Sequence, residues 1–262
     1  MNSEVAVTAP RRNFFALLLG MIISPRRSFS AIGEGNGRSW IIMALLGMVL
    51  VTLPIIAAGP IQRQQIIDTL SEQEFAFPQG AEAPADFDPA AIAASPITTT
   101  IVPAAFSAIG LVIGWVIWSG AFHLVSSMTG GRNSFRQMLQ IVIWGWIPYA
   151  IRNIVQTIYI AATSALITNP GLSGFVNTGP PPENPFATVP PGPGVLALQA
   201  FLRQIDVYLF WNFVLITIGI MVIGKLPRRK AIGVILVVWA VFTLFRVGGA
   251  AAMGGIAGAF TG

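Results

Sequence analysis

The chain has 262 residues, of which 54% are hydrophobic and only 10% charged, against roughly 25% charged residues in an ordinary soluble domain. Mean hydropathy is +0.73 and the formal net charge is +5, which excludes soluble, disordered and disulfide-stapled classes and predicts an all-α polytopic transmembrane bundle. With no cysteine and a single histidine, thiolate nucleophiles, iron–sulfur clusters, cysteine-ligated zinc and histidine-built metal sites are ruled out, and no cofactor is expected.

Residues 1–39 read as a cytoplasmic segment. Its apolar run from Phe14 to Ile23 is flanked by Arg11-Arg12 and Arg26-Arg27. The run is too short to cross the bilayer, and Ser24-Pro25 stands where a signal peptide would carry a small-residue cleavage site. An interfacial helix is the better reading. Residues 40–258 then hold five apolar stretches that meet the requirement of roughly 20 residues per span: 40–59, 103–127, 138–167, 205–224 and 231–258. Pro54 and Pro148 predict kinks. Between the spans lie two outer loops, 60–102 and 168–204. In the first, Ile66, Ile67, Leu70 and Phe75 share a helical side and predict a short surface helix after Pro60. The second is Pro- and Gly-rich over 169–194, including Pro180-Pro181-Pro182, and reads as extended and solvated. Residues 259–262 form a tail.

Orientation follows from the basic residues. Arg11, Arg12, Arg26, Arg27, Arg38, Arg132, Arg136, Lys225, Arg228, Arg229 and Lys230 fall on one side, eleven of the 15 in the chain. The alternate loops hold Arg63 and Arg203 with seven acids, from Asp68 to Glu183. The N-terminus is therefore expected inside and the C-terminus outside. The positive charge reflects topology and contact with the lipid bilayer, with no nucleic-acid partner.

Few polar groups fall at membrane depth, where a charge costs at least a few kcal/mol and is usually paired or functional. Arg152 and Arg246 both lie roughly 22 Å from the inner side at 1.5 Å per residue, and Asp206 is the acid nearest that level. One reading joins Arg152, Arg246 and Asp206 in an intramembrane polar cluster tying three spans together. The other has each arginine snorkel separately to the headgroups. His123, with Trp115, Trp118 and Phe122 on nearby turns, is a gate residue or a packed, hydrogen-bonded core histidine. Gly110 and Gly114, and Ala250, Gly254 and Gly258, have the small-x-x-x-small spacing that lets helix backbones approach, with packing inside the chain the first expectation. Gly171-Leu172-Ser173-Gly174 resembles the nucleophile motif of rhomboid proteases, but Ser173 falls in a Pro-rich loop without a base. No phosphate-binding loop, dinucleotide fingerprint or metalloprotease motif occurs, so no catalytic residue is expected.

Several patterns in order resemble the Yip family of small five-span membrane proteins. Pro25-Arg26-Arg27-Ser28-Phe29 before Trp40 is similar to the family's Pro-x-x-x-Phe approach to its first span. Gly130-Gly131-Arg132-Asn133-Ser134-Phe135, leading to Trp146-Ile147-Pro148, is similar to its Gly-Gly-x-x-Ser/Thr-Phe loop and Pro-containing third span. Lys225-Leu226-Pro227-Arg228-Arg229-Lys230 matches the position of its basic loop before the last span. The resemblance implies a membrane bundle of the bacterial type, without catalytic residues. Eukaryotic members are implicated in Rab GTPase interaction through a long cytosolic N-terminal region. Only 39 residues precede Trp40 here, without that region's acidic or aromatic motifs, so GTPase binding is not carried over.

The combined expectation is a non-enzymatic scaffold or accessory protein of a bacterial cytoplasmic membrane, contacting lipid and other membrane proteins. The competing expectation is a small passive or proton-coupled permease with a polar path near Arg152, Arg246 and Asp206.

Overall fold

The computed structural model of the protein describes residues 13–34, 38–71, 93–176 and 192–261. Every regular element among them is helical. In chain order these are α1 (Phe14–Ile23), α2 (Pro25–Gly33), α3 (Ser39–Ser71), a π-helical turn (Ile97–Ile101), α4 (Val102–Met128), α5 (Phe135–Gly145), α6 (Ile147–Thr163), a 3-10 turn (Gly171–Phe175), α7 (Pro193–Leu202), α8 (Val207–Ile223) and α9 (Arg228–Thr261).

Four stretches are long and apolar enough to cross a membrane: Ser39–Leu70, Ile97–Met128, Phe135–Thr163 and Arg228–Ile256. A fifth arises only if α7 and α8, bent by 57° at residues 203–206, count as one. At 17 residues α8 is about 26 Å long, short of a hydrocarbon core of about 30 Å. The fourth expected span therefore begins later than residue 205 and is preceded by a helix inside what the sequence suggests is loop 168–204.

Two further expectations are corrected. No separate surface helix follows Pro60, because α3 runs unbroken through both Pro54 and Pro60 to Ser71. Gly59 abuts Thr100 of the π-helical turn, which leaves no room for even a methyl group and holds the chain helical past the proline. Phe75 lies outside the described residues. The stretch 169–194 is not extended throughout: Gly171–Phe175 winds into a 3-10 turn, while 177–191 lie outside the described residues.

The third span breaks where Pro148 predicts. Helix α5 ends at Gly145, Trp146 donates its N–H back to the carbonyls of Ile143 and Trp144, and α6 restarts with Pro148 in its first turn. There proline's missing N–H and fixed φ cost nothing. Helix α1 also forms as expected, capped by Asn13 accepting the Ala16 N–H at 2.7 Å. It buries Leu17 and Met21 but turns Phe15 and Ile23 outward, so it has no polar face. The amphipathic element is α2, with Arg26 and Arg27 exposed and Ser28, Phe29 and Ile32 buried.

The chain divides into two compact units. The first comprises the described residues of Met1–Leu45, Trp115–Ile147 and Phe210–Phe242. Its core is built of large side chains, Trp144, Phe29, Phe122, Met138, Ile141 and Ile220 among them. Gly219 is the hinge of that packing, since a Cβ there would sit 2.5 Å from Ile141 and 3.2 Å from Phe29. The second comprises the described residues of Leu46–Gly114, Pro148–Leu209 and Thr243–Gly262. Its buried apolar residues are Ala58, Ala94, Ala150, Ile160 and Leu209.

Candidate functional site

The second unit contains a polar cluster centred on an ion pair. Helix α6 places Tyr149, Arg152, Asn153 and Gln156 at the i, i+3, i+4, i+7 spacing that aligns them on one side. Asp206 stands just before α8 and caps it, its Oδ1 accepting the Leu209 N–H at 2.8 Å. Its other oxygen, Oδ2, accepts from Arg152 Nη1 at 2.9 Å, with the two side chains 22% and 12% exposed. One carboxylate thus does two tasks, neutralising the arginine and accepting one of the four orphan donors of a helix start.

Arg246 does not share this ion pair. It is exposed on α9. One turn earlier Thr243 Oγ1 donates to Gln204 Oε1 at 3.2 Å, tying α9 to the segment before Asp206. Of the three residues expected together, the structure joins Arg152 and Asp206 in an ion pair and leaves Arg246 outside it. Beside the ion pair opens a pocket of about 240 Å³. Arg152, Gln156, Asp206, Asn169 and Tyr208 are its polar lining and Val155 and Ile167 its apolar wall.

In the first unit His123 belongs to a hydrogen-bonded network. Asn133 Nδ2 lies 3.1 Å from His123 Nδ1, and Ser126 Oγ donates to Asn133 Oδ1 at 2.7 Å. Ser126 fixes Asn133 with its amide oxygen accepting, which turns the amide nitrogen toward the imidazole. Phe135 packs edge-on at 6.3 Å. His123 is half-buried and held by this hydrogen bond. It also accounts for the Gly-Gly-x-x-Ser-Phe loop. Gly130 adopts φ +95°, Gly131 presses on Ser126 too closely for a side chain, and Ser134 caps α5 in a reciprocal box with Gln137.

The two glycine stripes part company. Gly254 packs inside the chain, its missing Cβ only 2.7 Å from Leu196 and 3.1 Å from Pro193 of α7. Among the described residues, Gly110 and Gly114 have nothing within 4 Å of where a Cβ would stand. The expected intrachain packing on Gly110 and Gly114 is thus not found among the described residues, and Phe106, Ile109 and Ile113 on that face of α4 are exposed. Ala250 is half-buried, and the surroundings of Gly258 lie outside the described residues. Ser173, buried in its 3-10 turn, donates its hydroxyl to the Pro170 carbonyl at 2.7 Å, a structural role rather than a nucleophile's.

Asn212 has no counterpart in the sequence reading. Buried in α8, it donates to the Gly145 carbonyl at 2.7 Å, satisfying an acceptor that the α5–α6 break frees. An asparagine inside an otherwise apolar run, four residues from Tyr208, is the signal that would have marked it. Among the described residues no group of three or more potential metal ligands assembles. The Yip1 domain family model matches residues 19–248. No curated protein and no solved structure matches the chain.

Proposed function

Because the chain belongs to the Yip1 domain family, a family of membrane proteins, we propose that it is an integral membrane scaffold or accessory protein without catalytic activity of its own. Its setting in this reading is a bacterial cytoplasmic membrane, N-terminus inside and C-terminus outside. The observation that carries the accessory role is the open face of α4, where Gly110 and Gly114 leave a groove beside Phe106, Ile109 and Ile113 that no part of the described chain fills. In lipid, helices associate through such close backbone approach and not through hydrophobic force.

Extraction in mild detergent from native membranes, followed by mass spectrometry, tests it. A membrane protein should co-purify in fixed ratio and be lost on Gly110→Leu, while Gly110→Leu itself remains folded. A solitary monomer overturns the reading. Orientation is tested by a single cysteine at the exposed Ser134, which should react only from the cytoplasmic side.

One observation favours a permease instead: the pocket at Arg152 and Asp206. That reading expects solute flux in reconstituted vesicles, altered by Arg152→Leu.

A further inference from the structure

The ion pair and its pocket support a more specific assignment. We infer that the pocket binds the headgroup of a zwitterionic phospholipid with a primary amine, its phosphate on Arg152 and its ammonium on Asp206. The inference needs only that the chain be a membrane protein, so it stands apart from the accessory role.

Donor and acceptor arithmetic comes first. A guanidinium has five N–H donors, and Arg152 gives Asp206 a bond from Nη1, leaving others for phosphate oxygens. A carboxylate offers about four lone-pair sites. Asp206 has accepted from Leu209 and Arg152, so about two sites remain for an ammonium. Neither side chain is sealed off, and both line the open pocket. Gln156 beside them supplies an amide that can bond the ester oxygens.

Charge then selects the headgroup. Arg152 and Asp206 together are neutral, so an anionic headgroup such as phosphatidylglycerol could offer the carboxylate only neutral hydroxyls, whereas a zwitterion brings it a compensating charge. A primary ammonium donates hydrogen bonds to a carboxylate. A quaternary one is recognised by aromatic cages, and Tyr208 is the one aromatic residue in the lining.

Depth distinguishes a lipid from a soluble zwitterion such as free phosphoethanolamine. Val155 lines the pocket and is itself half exposed. Arg152 lies roughly 22 Å from the inner side, close to the outer headgroups of a core about 30 Å thick.

The test is native mass spectrometry of the full-length protein in detergent with equimolar phosphatidylethanolamine, phosphatidylcholine and phosphatidylglycerol. The ethanolamine lipid should be retained about tenfold over the other two, the size of one charge-assisted hydrogen bond. Asp206→Asn should erase that preference. Since Asp206 also caps α8, Ile167→Trp provides an independent check, filling the pocket and leaving the ion pair intact. It should lose the lipid with an unchanged helical spectrum. Equal binding of all three lipids by the wild type overturns the assignment, as does a preference that survives in Ile167→Trp. Displacement of the lipid by an equal concentration of free phosphoethanolamine would overturn the lipid and reassign the pocket to a soluble zwitterion.

Discussion

The first unit buries Trp144, Phe29, Phe122 and nine more of the largest fully enclosed side chains in the protein, whereas the second buries three alanines, Ile160 and Leu209. Lipid tails are as apolar as leucine, so burying a side chain between membrane helices gains dispersion contacts rather than relief from water. The first unit exploits those contacts, interdigitating large residues around Gly219 and closing a polar network of His123, Asn133 and Ser126. With little of that packing, the second unit relies on polar ties: Arg152 to Asp206, Thr243 to Gln204 and the cap on α8. A unit that packs well needs no partner, while one held by a few polar ties leaves apolar flanks for lipid or another protein to cover.

That contrast predicts where each unit breaks. The largest effect belongs to Asp206→Ala, which uncaps α8 and leaves Arg152 unpaired, at a cost of about 3–5 kcal/mol. The thermal midpoint of the purified protein should drop sharply, with Asp206→Asn recovering the cap's share of about 1 kcal/mol. A melt unchanged in Asp206→Ala would mean that polar ties do not hold the second unit. Next comes Gly219→Val in the first unit, where a side chain must push Ile141 and Phe29 aside at about 1–3 kcal/mol. Wild-type stability there would show the core to be loosely packed. Asn212→Leu should cost a similar about 1–3 kcal/mol by stranding the Gly145 carbonyl.

The glycine stripes sharpen the comparison further. Gly254→Leu should destabilise by driving into Leu196 and Pro193, while Gly110→Leu should change stability by less than about 0.5 kcal/mol. Equal losses in the two would mean that the α4 face is covered within the chain. Smallest of all is His123→Gln. Its amide oxygen can still accept from Asn133, so the folded fraction should stay within about 1 kcal/mol of wild type by the same melt.

Much of the site was legible in part. Two arginines and one aspartate at membrane depth announce a pairing because isolated charges there are costly, yet both arginines satisfy the same one-dimensional criterion. Only the bend before α8 and the turn of α6 choose Arg152 over Arg246. Pro148 marks the break in the third span because proline cannot continue the hydrogen-bond ladder, but the same reasoning fails at Pro60, where Gly59 and Thr100 hold the helix together from outside it. Asn212 stands out as a polar residue in an apolar run, but its partner was illegible because it is a backbone carbonyl 67 residues away.

By itself the sequence determined the all-helical membrane architecture, the approximate spans and the absence of cysteine chemistry. Crossing about 30 Å of hydrocarbon with every backbone group satisfied demands long apolar helices, and that demand is written residue by residue. Tertiary structure alone decided which glycine stripe is filled, which arginine Asp206 neutralises and where a pocket opens. Those outcomes depend on how helices rotate and bend against one another, which spacing along a single chain does not specify.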